Sequence, residues 1–163
     1  MSAYDPAAWS DLFVAAAGAS AALAGLVFVA VSINVDRILA LPGLPDRALQ
    51  ALVQLLAVVV FSLLVLAPGQ APETLGVEFV ALALPLTVGS LALIHRSLAV
   101  GEPQISPAVK WLVVFAGTAP FAVAGISLIA EWGGGLYWVL AGVVLALIGA
   151  VMNAWVLLIE ILR

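Results

Sequence analysis

Five stretches of 20 to 24 residues run almost without charge: Leu12–Val35, Ala48–Ala67, Leu75–Ile94, Trp111–Ala130 and Leu136–Ile159. A helix rising 1.5 Å per residue needs about 20 mostly apolar residues to cross a hydrocarbon core about 30 Å thick. Each stretch meets that length. The third is the weakest, because Glu78 sits in its first turn and only Phe79–Ile94 is free of charge. The remaining composition permits no other solvent. Charged residues are 9% of the 163, where a soluble domain carries roughly a quarter, and 66% of the chain is apolar. Such a chain is neither a soluble domain, a disordered segment nor a coiled coil. Five basic residues against nine acidic ones, a net charge of -4, leave no footprint for nucleic acid. The absence of cysteine removes disulfides, thiolate metal sites, iron–sulfur clusters and a cysteine nucleophile.

Helix-breaking residues punctuate the connections: Asp5-Pro6, Leu41-Pro-Gly-Leu-Pro45, Pro68-Gly-Gln-Ala-Pro72, Gly101-Glu-Pro-Gln-Ile-Ser-Pro107 and Gly133-Gly-Gly135. Ser106 suits an N-cap with Pro107 at the first helical position. The N-terminus has Asp5 and Asp11 and no basic residue before a long apolar run, so a cleavable leader is not expected. No connector is long enough to be a domain. Residues 1–163 therefore read as a single transmembrane domain, an all-α polytopic helical bundle of five spans. Any chemistry must lie within the bundle or at its rims.

Basic residues favour the cytoplasmic side. With five spans, Arg37, Arg47, Arg96, Lys110 and Arg163 all fall on one side, while Asp5, Asp11, Glu73, Glu78 and Glu131 occupy the other. This places the N-terminus outside and the C-terminus in the cytoplasm, in a multi-pass protein of a bacterial inner membrane. Trp9, Trp132, Tyr137 and Trp138 then fall at the outer interface and Trp111 and Trp155 near the inner one, where amphipathic rings are favoured.

Lipid provides no hydrophobic drive between helices, so helices associate through close contact of small residues. The first span carries Asp11, Ala15, Gly18, Ala22, Gly25, Val29, Ser32 and Asp36 on one face, and the last carries Gly142, Ala146, Gly149, Asn153 and Glu160. Both stripes are expected to pack helices within the molecule, with subunit contacts in a homo-oligomer as the other use. Pro85 and Pro120, in the middle of the third and fourth spans, each remove a ladder hydrogen bond and free the carbonyl of Ala81 or Ala116. Local compensation by Thr87 and Thr118, or a hinge, are the two outcomes. Amides within lipid must face protein or water, since an unpaired one costs about 4 to 8 kcal/mol in hydrocarbon. Asn34, Gln50, Gln54, His95, Asn153 and Glu160 all fall in the cytoplasmic half. They define a candidate polar recess open to the cytoplasm; ordinary interhelical hydrogen bonding and snorkelling are the alternative.

Catalytic signatures are absent. His95 is the sole imidazole, no metal-binding spacing occurs, and Ser20 belongs to the opposite half of the membrane from His95. No cofactor, metal or catalytic residue is expected, and the chain reads as a non-enzyme. No phosphate loop occurs, and five unrepeated spans do not make an alternating-access transporter.

The stretches Trp9-Ser-Asp-Leu-Phe13, Gly18-Ala-Ser-Ala-Ala-Leu-Ala-Gly-Leu-Val-Phe28 and Val31-Ser-Ile-Asn-Val-Asp-Arg-Ile38 resemble a family of small bacterial integral membrane proteins, frequent in actinobacteria. Some members are described as modulators of a membrane-bound ATP-dependent protease. The resemblance is clearest over residues 9–67 and implies a bacterial membrane protein with a larger membrane partner; no functional residue is carried over. The expectation is a non-catalytic, self-associating interaction or accessory subunit. A homo-oligomeric channel or small-solute pore is the alternative.

Overall fold

A computed structural model describes residues 2–99 and 107–162. Two short 3-10 turns, Ser2–Tyr4 and Pro6–Trp9, lead into α1 (Ser10–Ile33), α2 (Val35–Ala40), α3 (Leu44–Leu66), α4 (Pro72–Ala99), α5 (Pro107–Ala130) and α6 (Leu136–Leu162). Four helical stretches are long and apolar enough to cross a membrane: Pro6–Ile33, Leu44–Leu66, Pro72–Arg96 and Leu136–Ile159. The stretch Val114–Ala130 of α5 is apolar but shorter. The described residues are all-helical, with four helices of a length and apolarity suited to a membrane.

The helix ends follow local chemistry. Asp5 accepts a hydrogen bond from the Ala7 amide at 3.1 Å and caps the turn before α1. The first long helix stops two residues earlier than its apolar run, at Ile33, because Asn34 leaves the helical conformation and turns its side-chain amide back onto the Ala30 carbonyl, at 2.9 Å. The chain then resumes as the short α2, an element the apolar pattern conceals. Gly43, with φ at 84°, supplies the left-handed residue before α3, and Pro45 occupies its first turn. The fourth long helix begins at Pro107 as expected, while Ser106 lies outside the described residues.

Successive long helices run in opposite directions. Tyr4, Trp9, Gly134 and Tyr137 meet at the end of the molecule that holds the N-terminal turns, termed here the N-terminal rim. At the opposite rim Ile38, Leu44, Ala48 and Leu157 form a small apolar cluster, and His95 lies edge-on to Trp111. Arg37, Arg47, Arg96 and Lys110 belong to helices at this second rim, termed here the C-terminal rim.

The third helix is central, with contacts to α1, α4 and α6, and α5 completes a four-helix unit against α4 and α6. The core of that unit is aromatic. Phe61 of α3 stacks on Phe121 of α5 with centroids 4.3 Å apart, and meets Phe79 of α4 edge-on at 4.8 Å. Offset and edge-to-face ring pairs contribute beyond the area they bury. In contrast, α1 leans on α3 and meets α6 only marginally. It is attached by a single face, formed by Phe13, Ser20 and Ala24.

Candidate functional site

The polar residues of the C-terminal-rim half do not all converge. Gln54 is 4% exposed, and its amide lies so close to α5 that a β-carbon on Gly117 would stand 2.9 Å from Nε2. Glycine at 117 is thus what seats the amide between helices. Gln50, one turn below, is half-buried, and Arg47 beneath it is buried. Asn153 of α6 reaches the same level. Ala150 packs with Leu55, and Leu157 packs with Ala48 and Leu44, so the turn between them lies opposite Ala51. Asn153 is half-buried, and its Nδ2 is enclosed with no hydrogen-bond partner among the described residues.

Gln50, Gln54 and Asn153 therefore share one level of the bundle, whereas Asn34 and His95 do not join them. Asn34 spends its amide on its own helix. His95 is exposed and packs against Trp111 with centroids 6.2 Å apart. The side chain of Glu160 lies outside the described residues.

The two small-residue stripes have opposite fates. On α6, Gly142, Ala146 and Gly149 are buried, and a β-carbon at 142 would come within 2.9 Å of the Phe121 ring. That stripe seats an aromatic side chain within the molecule. On α1 the expectation of internal packing is corrected: Ala15, Gly18, Ala22, Gly25 and Ser32 are all exposed, and a β-carbon at 18 or 25 would meet nothing within 4 Å. The stripe lies opposite the face that Phe13, Ser20 and Ala24 press on α3. Its Ser32 hydroxyl donates to the Phe28 carbonyl of its own helix at 2.8 Å.

Both prolines sit inside unbroken helices, Pro85 on an exposed face of α4 and Pro120 buried in α5. The threonine hydroxyls donate to Ala83 and Val114, at 2.7 and 3.0 Å, and not to the carbonyls of Ala81 and Ala116 that the prolines free.

A more elaborate polar structure, unread in the sequence, closes the N-terminal rim. Gly133, Gly134 and Gly135 all have positive φ. The Ser127 hydroxyl accepts from the Gly135 amide at 2.8 Å and donates to the Trp132 carbonyl. Tyr4 accepts from the Gly134 amide at 3.1 Å, and the Trp138 indole donates to the Gly133 carbonyl at 2.8 Å. A β-carbon on Gly135 would overlap the Ala3 carbonyl, so this glycine lets the N-terminal turn close over the loop. Three glycines ahead of an aromatic pair were the only signal.

Among the described residues no group of three His, Asp or Glu side chains is placed to hold a metal ion. No protein family, curated protein or solved structure matches the chain.

Proposed function

We propose that the protein is a non-catalytic accessory subunit of a bacterial inner membrane, with five spans and its C-terminus in the cytoplasm, and that it self-associates through α1. One observation carries this reading. Two glycines and two alanines line the outward face of a helix held to the bundle on one side only. Glycine in a helix interior costs about 0.5 to 1 kcal/mol relative to alanine. Among the described residues no neighbour uses the room that Gly18 and Gly25 leave. A helix from a second chain would, because small residues let backbones approach closely enough for dispersion contacts to drive association in lipid.

The α5 helix, 24 residues long, supports the five-span count, since its apolar stretch Val114–Ala130 reaches the short end of the range that a hydrocarbon core requires. The segregation of basic residues to the C-terminal rim supports the orientation.

Crosslinking in native membranes followed by mass spectrometry tests the function. A larger membrane-protein partner is expected alongside the homo-oligomer, and the purified chain reconstituted alone is expected to pass no ions. Steady flux through such vesicles would replace the accessory reading with a homo-oligomeric channel.

A further inference from the structure

At the N-terminal rim a cavity of about 330 Å³ lies between the turn that precedes α1 and the turn that joins α3 to α4. Asp5, Ser10 and Gln70 line it with polar groups, and Val65, Leu66 and Pro68 give it an apolar wall. The polar groups are mostly acceptors. Asp5 spends one carboxylate oxygen on the Ala7 amide, at 3.1 Å, and among the described residues its other oxygen has no partner. The Gln70 amide nitrogen donates to the Glu78 carboxylate at 2.9 Å. A carboxylate only accepts, so this bond fixes which end of the Gln70 amide is its oxygen. That oxygen, Oε1, is enclosed and has no hydrogen-bond partner among the described residues. The α3 helix ends on the same cavity, at Leu66. The last carbonyls of a helix have no partner within it and carry the negative end of its dipole. Here the Ala67 amide returns to that of Leu64, at 3.2 Å, and no basic residue stands in the last turn.

We propose that this cavity binds a primary ammonium group on a short aliphatic skeleton. Acceptors that share a negative charge call for a positive group bringing its own N–H donors, and an ammonium has donors only. Asp5 supplies the opposite charge, and the Ser10 hydroxyl and Gln70 Oε1 are the further acceptors. The apolar wall suits the methylenes, and Pro6 and Pro68 bring no N–H of their own into the lining. The wider rim has the same sign. Asp5, Asp11, Glu73, Glu78 and Glu131 stand there with no lysine, arginine or histidine among the described residues. No basic side chain of the rim therefore competes for Asp5, and the summed field draws cations to the mouth. Calcium and magnesium fit less well, because they gather a shell of several oxygens and Asp5 is the only carboxylate in the lining. The rim of a membrane bundle meets both water and headgroups, so the ammonium belongs to a soluble amine or to an ethanolamine headgroup. The site does not depend on self-association.

The test is calorimetric titration of the full chain, in phosphatidylcholine nanodiscs, with diaminobutane. Saturable binding of one diamine per chain is expected. Butanediol, which lacks the charge, and the bis-trimethylammonium analogue, which lacks N–H donors, should each bind about tenfold more weakly or worse. Asp5→Asn should weaken the diamine about tenfold and keep the fold, because asparagine caps a helical turn as well as aspartate does. Ala7 is an exposed residue of the lining, so Ala7→Phe should block the cavity without disturbing the core. Glu131→Gln, at an acid of the same rim outside the lining, should leave the affinity within about twofold. Phosphatidylethanolamine nanodiscs identify the source: competition there assigns the site to the headgroup, and unchanged diamine affinity assigns it to a soluble amine. No saturable binding in phosphatidylcholine, or calcium or the trimethylammonium analogue bound as tightly as the diamine, would overturn the proposal. So would undiminished binding in Asp5→Asn and Ala7→Phe, or equal losses in Asp5→Asn and Glu131→Gln, which would mean diffuse surface charge only.

Discussion

Gly76 of α4 and Gly125 of α5 meet backbone to backbone: a β-carbon on Gly76 would lie 2.7 Å from the Gly125 carbonyl oxygen, and one on Gly125 would lie 2.8 Å from that of Gly76. The contact is reciprocal and has no flexible side chain to yield on the backbone side. Gly125→Ala must therefore separate the helices or displace Val80, and an insertion of that kind costs about 1–3 kcal/mol. Gly76→Ala should behave alike. Unfolding in detergent, followed by circular dichroism, should show both variants less stable than the parent.

Gly18 and Gly25 should give the opposite result. Alanine is the better helix former by about 1 kcal/mol, and open space surrounds both positions. Gly18→Ala and Gly25→Ala should keep or raise the stability of the folded chain. Gly18→Leu should likewise leave the fold intact while reducing the oligomer that light scattering measures in mild detergent. A loss of folded stability at Gly18→Leu would place this face inside the molecule, and an unchanged particle size would make it lipid-facing.

The end of α5 holds a residue in a conformation it does not favour. The Trp132 amide bonds the Ser127 carbonyl at 3.2 Å and the Glu131 amide bonds the Leu128 carbonyl at 3.4 Å, the paired bonds of a Schellman cap. The left-handed position of that cap is occupied by Glu131, with φ at 48°. Left-handed helical geometry costs an L-residue roughly 1–2 kcal/mol, a cost glycine does not bear. Glu131→Gly should therefore stabilise the chain by about 1 kcal/mol, read as a higher midpoint in thermal unfolding.

Ser127 closes the adjoining loop, and its removal should do the reverse. Ser127→Ala leaves the Gly135 amide and the Trp132 carbonyl without their hydroxyl partner. A buried backbone group deprived of its bond costs about 1–3 kcal/mol. Hydrogen exchange at the Gly135 amide should rise in this variant while the amides of α3 are unaffected.

The helices were legible because lipid imposes one rule on every span: about 20 apolar residues bounded by breakers. The stripes were legible only by half. Helical periodicity shows that Gly18, Ala22 and Gly25 share a face, as Gly142 and Gly149 do, but both patterns look the same whether the face turns inward or outward. The difference arises from topology, since α6 has neighbours in α3 and α5 while α1 has essentially one. Gly76 and Gly125 went unread for a related reason. Neither belongs to a run of small residues, and only the pairing of α4 with α5 brings them together. Of the polar recess, depth along each helix was readable and rotation was not. Gln54 and Asn153 share a level, while His95 at the helix end faces outward against Trp111.

Water access at that shared level is the remaining test of the recess. The Asn153 amide is half-buried with an enclosed Nδ2, and interhelical hydrogen bonds in membranes average only about 0.6 kcal/mol, so Asn153→Leu should change stability little. Stability therefore cannot distinguish a recess from a dry contact, and accessibility can. The chain has no cysteine, so single cysteines can be placed at Gln54, Asn153 and Ser20 without background. Ser20 is fully buried on the face that α1 presses on α3, and serine and cysteine are close in shape. A membrane-impermeant thiol reagent should spare Ser20→Cys from both sides. It should label Asn153→Cys, and more slowly Gln54→Cys, from the side of the C-terminal rim alone. Protection of all three positions would mean that the amides pair within a dry bundle, and the recess would then be excluded as a binding site.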